Sequence, residues 1–421
     1  MSGKPAVDTG GRLGALREPL YRRFWLGSLA SVGATQLLFV GQGWLVYRLS
    51  GSAFDLGLLG AAASLPTIVV NLLGGALADR LDKRRVLVVT TAMVATLLMV
   101  LAVLDGSGIV RVWHVLLVSG LIALVSGVDW PTRQAIFPSL ISRQHMLSAI
   151  ALNAILWQGT RMIMPAAGGA LIAVGGTSTL FGLASCGFLV MLLVLRTMPP
   201  VPPRPGAGSS VEQVIEGVRY IAGNRLFRVL IPLTYVSMFF GTSFLQLMPA
   251  FAKILGVGEQ GFGALVSSSG VGSVAGTLVV GLIRPGHHLG RVMLSGLVFS
   301  TGGLFAFALV TGLAPSAPWA LGAALFFVFF ANFAAALFLI TSTTVLQLHV
   351  PDSLRGRVMG IHAITYSLIA LGGLFAGAVA SVLGAPAAVV IGAGVVLVST
   401  LVVAATQPEV RELAEGTGPT D

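Results

Sequence analysis

The chain has 421 residues, of which only 10% are charged and 55% are hydrophobic, with a mean hydropathy of +0.92. A soluble fold of this size could not cover its surface with so few charges, against roughly 25% in ordinary soluble domains, so lipid must be its main solvent. The net charge of +10 does not mark a nucleic-acid binder, because the basic residues are scattered through short segments between apolar runs. The single cysteine, Cys186, excludes an internal disulfide or a thiolate metal cluster.

In chain order, residues 1–23 form a polar, basic tail. The apolar run 24–47 is too long for a cleaved signal peptide and reads as the first membrane helix. Further spans are expected near 56–78, 86–104, 112–137, 147–173 and 178–196. Together they form a six-helix bundle over 24–198. A Pro-rich linker follows over 199–225, in which Ser209–Asn224 has apolar residues at helical spacing and is expected to lie along the membrane surface. Spans near 229–252, 260–283, 292–312, 317–348, 358–382 and 386–406 make a second bundle over 226–406, before a polar tail, 407–421. The charge-free stretch Val292–Pro351 is too long for one helix, and Gly312, Pro315 and Pro318 supply the break. The fold class is therefore an all-α integral membrane protein of twelve transmembrane helices.

With the N-terminus inside, 21 of the 25 Lys and Arg fall on the cytoplasmic side; Arg48, Arg111 and Lys253 fall outside and Arg161 within a span. That bias places both termini in the cytoplasm of a multi-pass cell-membrane protein. The halves also echo each other. At a constant offset Leu20 falls on Leu226, Arg22 on Arg228, Gly57 on Gly263, Gly75 on Gly281 and Arg85 on Arg291. Six spans per half with such an echo indicate two six-helix pseudo-repeats. Gly272–Gly276 and Gly373–Gly377 have the small-xxx-small spacing of close helix packing.

An ionisable residue inside a span costs roughly 2.5–3.5 kcal/mol on insertion scales and is a functional candidate by default. Here such residues collect on the fourth and fifth spans. Asp129 and Arg133 are four apart on one helix face, and Arg161 lies near the middle of the fifth span. Trp130 and Trp157 lie at similar depth, away from the interfaces where Trp usually collects. Gln36, Asn153 and Gln158 add hydrogen-bonding groups. One reading is an aromatic-walled cavity in which Arg161 binds the anionic or polar part of a small-molecule substrate. The other is an interhelical clamp in which Asp129, Arg133 and Arg161 neutralise one another. Asp129 is the carboxylate placed deepest in a span, and so the candidate proton carrier.

Between the second and third spans stands Gly75-Ala-Leu-Ala-Asp79-Arg80-Leu-Asp82-Lys83-Arg84-Arg85. It resembles the signature loop of the major facilitator superfamily of secondary transporters, and the resemblance implies that fold. It also implies a cytoplasmic gate in which Asp79 ties the halves together near Arg357 and Arg133, with Gly75, Arg80 and Arg84 in the same loop. Pro165-Ala-Ala-Gly168-Gly169 is similar to the end of the superfamily's antiporter motif, although most of the upstream glycines are missing. Gln42–Ser52, Pro131–Pro138 and Val350–Val358 resemble the branch containing the enterobactin exporter and macrolide efflux proteins. That likeness implies efflux of siderophore-like or drug-like amphipathic molecules, usually by proton antiport.

The chain has no phosphate-binding G-x-x-x-x-G-K-[ST] loop and no H-E-x-x-H or G-x-S-x-G pattern. Neither an enzyme nor a cofactor or metal is expected. Protons, the lipid bilayer and a small molecule are the expected partners, nucleic acid is not, and a monomer is expected. Two alternatives stay open: a lysolipid or other metabolite transporter of the same fold, and a membrane sensor or scaffold that has lost transport.

Overall fold

The computed structural model describes residues 14–73, 82–201, 210–282, 289–351 and 354–412. Gly75, Asp79 and Arg80 of the charged hairpin lie outside the described residues. Among those described the chain is helical, with no strand.

The first half contains α1 (Pro19–Ser50), α2 (Ala53–Leu73), α3 (Lys83–Gly106), α4 (Val112–Ile136), α5 (146–175) and α6 (177–196). The last two run on as one 51-residue helix that turns at Gly176, whose φ of 75° only a residue without Cβ adopts cheaply. Pro19 opens α1, and Gly51, at φ 65°, closes it. The linker helix α7 (Ser210–Gly223) leads to α8 (Arg225–Val236) and α9 (Met248–Ile254). The other helices are α10 (Gly258–Leu282), α11 (Leu289–Leu313), α12 (Ala320–His349), α13 (Arg355–Ala363), α14 (Thr365–Leu383) and α15 (Ala385–Thr406). Among the described residues ten stretches are long and apolar enough to cross a membrane; one of them, Arg143–Arg196, contains two spans. Ala53–Leu73, with its one charge at the start, completes the twelve.

Two spans of the second half are broken where sequence alone suggests continuous helices. The seventh passes from α8 through a π-helical turn, Ser237–Gly241, and a 3-10 turn, Ser243–Leu247, into α9. The eleventh breaks only in its hydrogen-bond ladder, at Ile364 between α13 and α14, where the Ile364 N–H turns to the Ile361 carbonyl while the backbone stays helical (φ −57°, ψ −25°). Neither break needs a proline at the spot. Both lie where the two spans meet, and Gly372 of α14 lets that helix close onto the Phe239 carbonyl of the π turn.

Helices alternate in direction, so the starts of α1, α3, α5 and α8 gather at one end, with Arg22, Arg84, Arg143 and Arg225. We call this the basic end, and the opposite one the far end. The halves join through two helix pairs, α2 on α14 and α5 on α10. A Cβ on Gly377 would sit 2.5 Å from the Ala53 carbonyl oxygen, and one on Gly263 would sit 2.5 Å from that of Pro165. Gly57 meets Gly377, and Gly263 meets Gly169. The sequence echo of Gly57 in Gly263 thus reappears as two equivalent contacts, both in the far-end portions of their helices. Trp44 of α1 stacks on Phe262 of α10 at 5.5 Å, and Lys253 lies 5.6 Å from the Tyr47 ring. The far end is where the halves lock.

Candidate functional site in the first bundle

Helical spacing sets the site. Asn153, Trp157 and Arg161 follow one another at i, i+4 along α5 and so share a face. Arg161 lies fifteen residues from the start of that helix, about 22 Å at 1.5 Å per residue, deep in a core of about 30 Å. Four residues on, Pro165 has no N–H to give the Arg161 carbonyl, and Gly270 of α10 packs against that carbonyl instead. The next amide, Ala166, donates to Ser267 Oγ of α10 at 2.8 Å. The proline therefore opens the helix on the face turned to the other half, and α10 supplies the missing partners. Gly169 completes this contact, whereas Gly168 packs within its own half on Leu37 and Val40.

On α4, Asp129 and Arg133 form an ion pair. Thr90 donates to the second Asp129 oxygen at 2.7 Å, and the Arg133 guanidinium reaches Ser31 at 3.4 Å and Thr91 at 3.5 Å. This clamp joins α1, α3 and α4. Arg161 takes no part in it: among the described residues no side chain hydrogen-bonds to its guanidinium and no carboxylate pairs with it. The expected three-residue neutralisation thus resolves into a satisfied pair and a lone cation. Trp130 and Trp157 meet edge to face at 5.1 Å, joining α4 to α5, and Trp130 is 46% exposed. Gln36 is half-buried on α1, one turn from Gly33, which packs on Met164 of α5. Asn153 and Gln158 are half-buried on α5.

From the other half comes Tyr366 of α14, exposed and in the neighbourhood of Arg161. Sequence reasoning missed it. The available signal was a polar-tipped aromatic inside an otherwise uncharged span. In the seventh span Tyr235 donates its hydroxyl to the Ile361 carbonyl at 2.6 Å, and Gln246 packs on Gly373.

The expected gate residues separate. Arg84 binds the carbonyls of Leu195 and Arg196, at 3.0 and 2.6 Å, within its own half. Arg357 pairs at 2.6 Å with Glu216 of the linker helix. Arg133 belongs to the clamp. No cluster of metal-ligating side chains occurs among the described residues. A lipid-facing groove between α3 and α6, lined by Met99, Val100 and Leu189, holds none of the polar site residues.

Comparison with known proteins agrees with this architecture. Residues 10–416 match the family model described as transmembrane secretion effector. The enterobactin exporter EntS of Shigella flexneri is 25% identical over 348 residues, covering 82% of this chain and 80% of that protein. EntS of Escherichia coli O1:K1 is 26% identical over the same length. Among solved structures, a bacterial homologue of the human lysosomal transporter Spinster, described as inward-facing and unoccupied, aligns with a TM-score of 0.69 at 15% identity over 97% of both chains. The nucleoside transporter NupG aligns with a TM-score of 0.72 at 12% identity, over 92% of this chain and 98% of that one. These structures share the fold. The chain is a membrane transporter rather than an enzyme, and it belongs to the transmembrane secretion effector family within the major facilitator superfamily.

Proposed function

We propose that this transporter exports amphipathic small molecules bearing a negative charge, by proton antiport and alternating access, with the basic end in the cytoplasm. The observation that carries the reading is Arg161, a guanidinium deep in a span with no anionic partner among the described residues, beside the Trp130–Trp157 pair. A lone cation at that depth is costly, and a substrate anion compensates it while the indoles cover an apolar body. Tyr366 reaches the same place from the other half, so a bound molecule touches both halves and its presence biases their rocking.

The far-end glycine contacts close one side and leave the basic end as the route of entry, which fits loading from the cytoplasm. The relatives' export of enterobactin and the basic bias of the inner loops support the same direction. Asp129 is the proposed proton carrier in this half, since a proton on its carboxylate weakens the hold on Arg133. Asp79, Gly75 and Arg80 are proposed to close the cytoplasmic side in the opposite state, with Arg357 as partner. A monomer suffices for this cycle.

The test is flux in proteoliposomes under an imposed pH gradient, with enterobactin as the first probe. Gradient-driven uptake into vesicles whose basic ends face outward supports export. Equal uptake with and without the gradient counts against antiport.

A further inference from the structure

The eleventh span carries an ionisable group that the site above does not use. His362 of α13 is 4% exposed. Its Nε2 lies 3.3 Å from the Thr343 hydroxyl of α12, and that hydroxyl gives its own hydrogen to the Leu339 carbonyl at 2.7 Å. Thr343 can therefore only accept from the imidazole. The hydrogen of the neutral ring sits on Nε2, and Nδ1 is a bare lone pair, buried and without a partner.

Three residues on, the Thr365 hydroxyl is also fully buried and without a partner. Threonines inside helices usually donate to the carbonyl four residues back, as Thr234 and Thr160 do here. For Thr365 that carbonyl belongs to Ile361 and is taken by the Tyr235 hydroxyl. Two unsatisfied polar groups, three residues apart in sequence, thus flank the break in the eleventh span, whose helix α14 packs on the π turn of the seventh. Buried polar groups find partners in the great majority of cases, and π turns are frequent at functional sites.

We propose that His362 Nδ1 and the Thr365 hydroxyl form a proton-binding site in the second bundle, independent of Asp129. The proton comes from water and bonds to the Nδ1 lone pair. The new N–H needs an acceptor, which the Thr365 oxygen provides directly or through one water molecule. That contact spans the joint at Ile364, so loading changes the angle between α13 and α14. α13 in turn bears Arg357, tied to Glu216 of the linker helix.

Few other charges bear on the ring. α8, α12, α13 and α14 contain no Asp or Glu. Their titratable and charged groups are Arg225, Arg228 and Tyr235 on α8, His349 at the basic end of α12, Arg355 and Arg357 on α13, and Tyr366 on α14. Glu216 of α7 is held by Arg357.

The inference rests on the antiport reading, and two measurements on the full-length protein separate them. In nitrogen-15 histidine spectra assigned with His362→Gln, the His362 ring is expected as the Nε2–H tautomer at high pH. It should gain a proton at Nδ1 as the pH is lowered, with Thr365→Val moving the midpoint. In vesicles each coupled proton multiplies accumulation about tenfold per unit of pH gradient. His362→Gln, whose amide can still donate to Thr343, is therefore expected to lower accumulation about tenfold at one unit while sparing exchange without a gradient. A ring that holds one protonation state at every pH at which the protein stays folded overturns the proposal, and so does full accumulation by His362→Gln. A wild-type protein indifferent to the gradient overturns antiport instead, and the spectra alone then decide the proton site.

Discussion

The two bundles solve the problem of polar groups in lipid in opposite ways. The first concentrates full charges: Asp129 and Arg133 bind each other and tie α4 to α1 and α3, while Arg161 has no anionic partner among the described residues. The second has no carboxylate in its seventh, tenth or eleventh spans and relies on neutral groups at broken helices: Tyr235 on a freed carbonyl, His362 on Thr343, and Thr365 on nothing. The interface between the bundles is nonetheless close to symmetric, with Gly57 on Gly377 and Gly263 on Gly169. A common scaffold has thus kept its joint on both sides, while the polar machinery has diverged. Charge fixes where an anion binds, and helix breaks fix where the backbone bends.

The largest expected effect comes from breaking the joint itself. Gly263→Leu places a branched side chain against the backbone of α5, where overpacking costs about 1–3 kcal/mol or more. Opening of the far end is expected to rise by roughly 5- to 150-fold in equilibrium constant, using RT of about 0.6 kcal/mol. Labelling of a cysteine introduced at Ser52 reads this out. Gly57→Leu is expected to match it, because its contact is equivalent. A large effect from one and none from the other would break the symmetry.

Next is the clamp. Asp129→Asn leaves Arg133 in a partly buried place without its counter-charge. Removing one partner of a fully buried pair costs about 3–5 kcal/mol, and the remaining exposure of this pair, 14% and 18% of the side chains, lowers that toward about 2 kcal/mol. Thermal unfolding in detergent should therefore fall measurably. Gradient-driven accumulation should fall about tenfold per pH unit if Asp129 carries a proton.

Tyr235→Phe probes the other bundle's device. It frees the Ile361 carbonyl for the Thr365 hydroxyl, so one hydrogen bond replaces another. Interhelical hydrogen bonds in membranes are worth about 0.6–2 kcal/mol, and a change in turnover of a few-fold, with little loss of melting temperature, is expected. The smallest effect belongs to Glu216→Gln on the linker helix, whose solvent-facing pair with Arg357 contributes at most about 1 kcal/mol. Less than a fivefold change in flux, vanishing at high salt, is expected there.

Much of this was legible before any coordinates. Run lengths and basic bias gave the spans, and the i, i+4 spacing of Asp129 and Arg133 survives as the ion pair. Trp130 and Trp157, placed at one depth, touch. The echo of Gly57 in Gly263 turned out to mark contact points. Less accessible were the features that depend on a neighbour. Nothing local requires a break at Ile364; it is stabilised by a hydroxyl from α8, and the π turn by the closeness of Gly372. Tyr366 escaped notice because its meaning lies in the cation opposite. That Asp129 is already satisfied, leaving Arg161 outside the clamp, could not be read from spacing alone.

The central claim, that Arg161 is a lone cation awaiting a substrate anion, is tested most directly by equilibrium binding. An anionic amphipath and its neutral ester would be titrated into the purified wild-type protein, Arg161→Gln and Arg161→Lys. A hydrogen-bonded charge contributes about 1.5–3 kcal/mol. The account therefore requires a loss of roughly 10- to 150-fold for the anion in Arg161→Gln, a smaller loss in Arg161→Lys, and little change for the ester. Equal affinity of wild type and Arg161→Gln for the anion would contradict it.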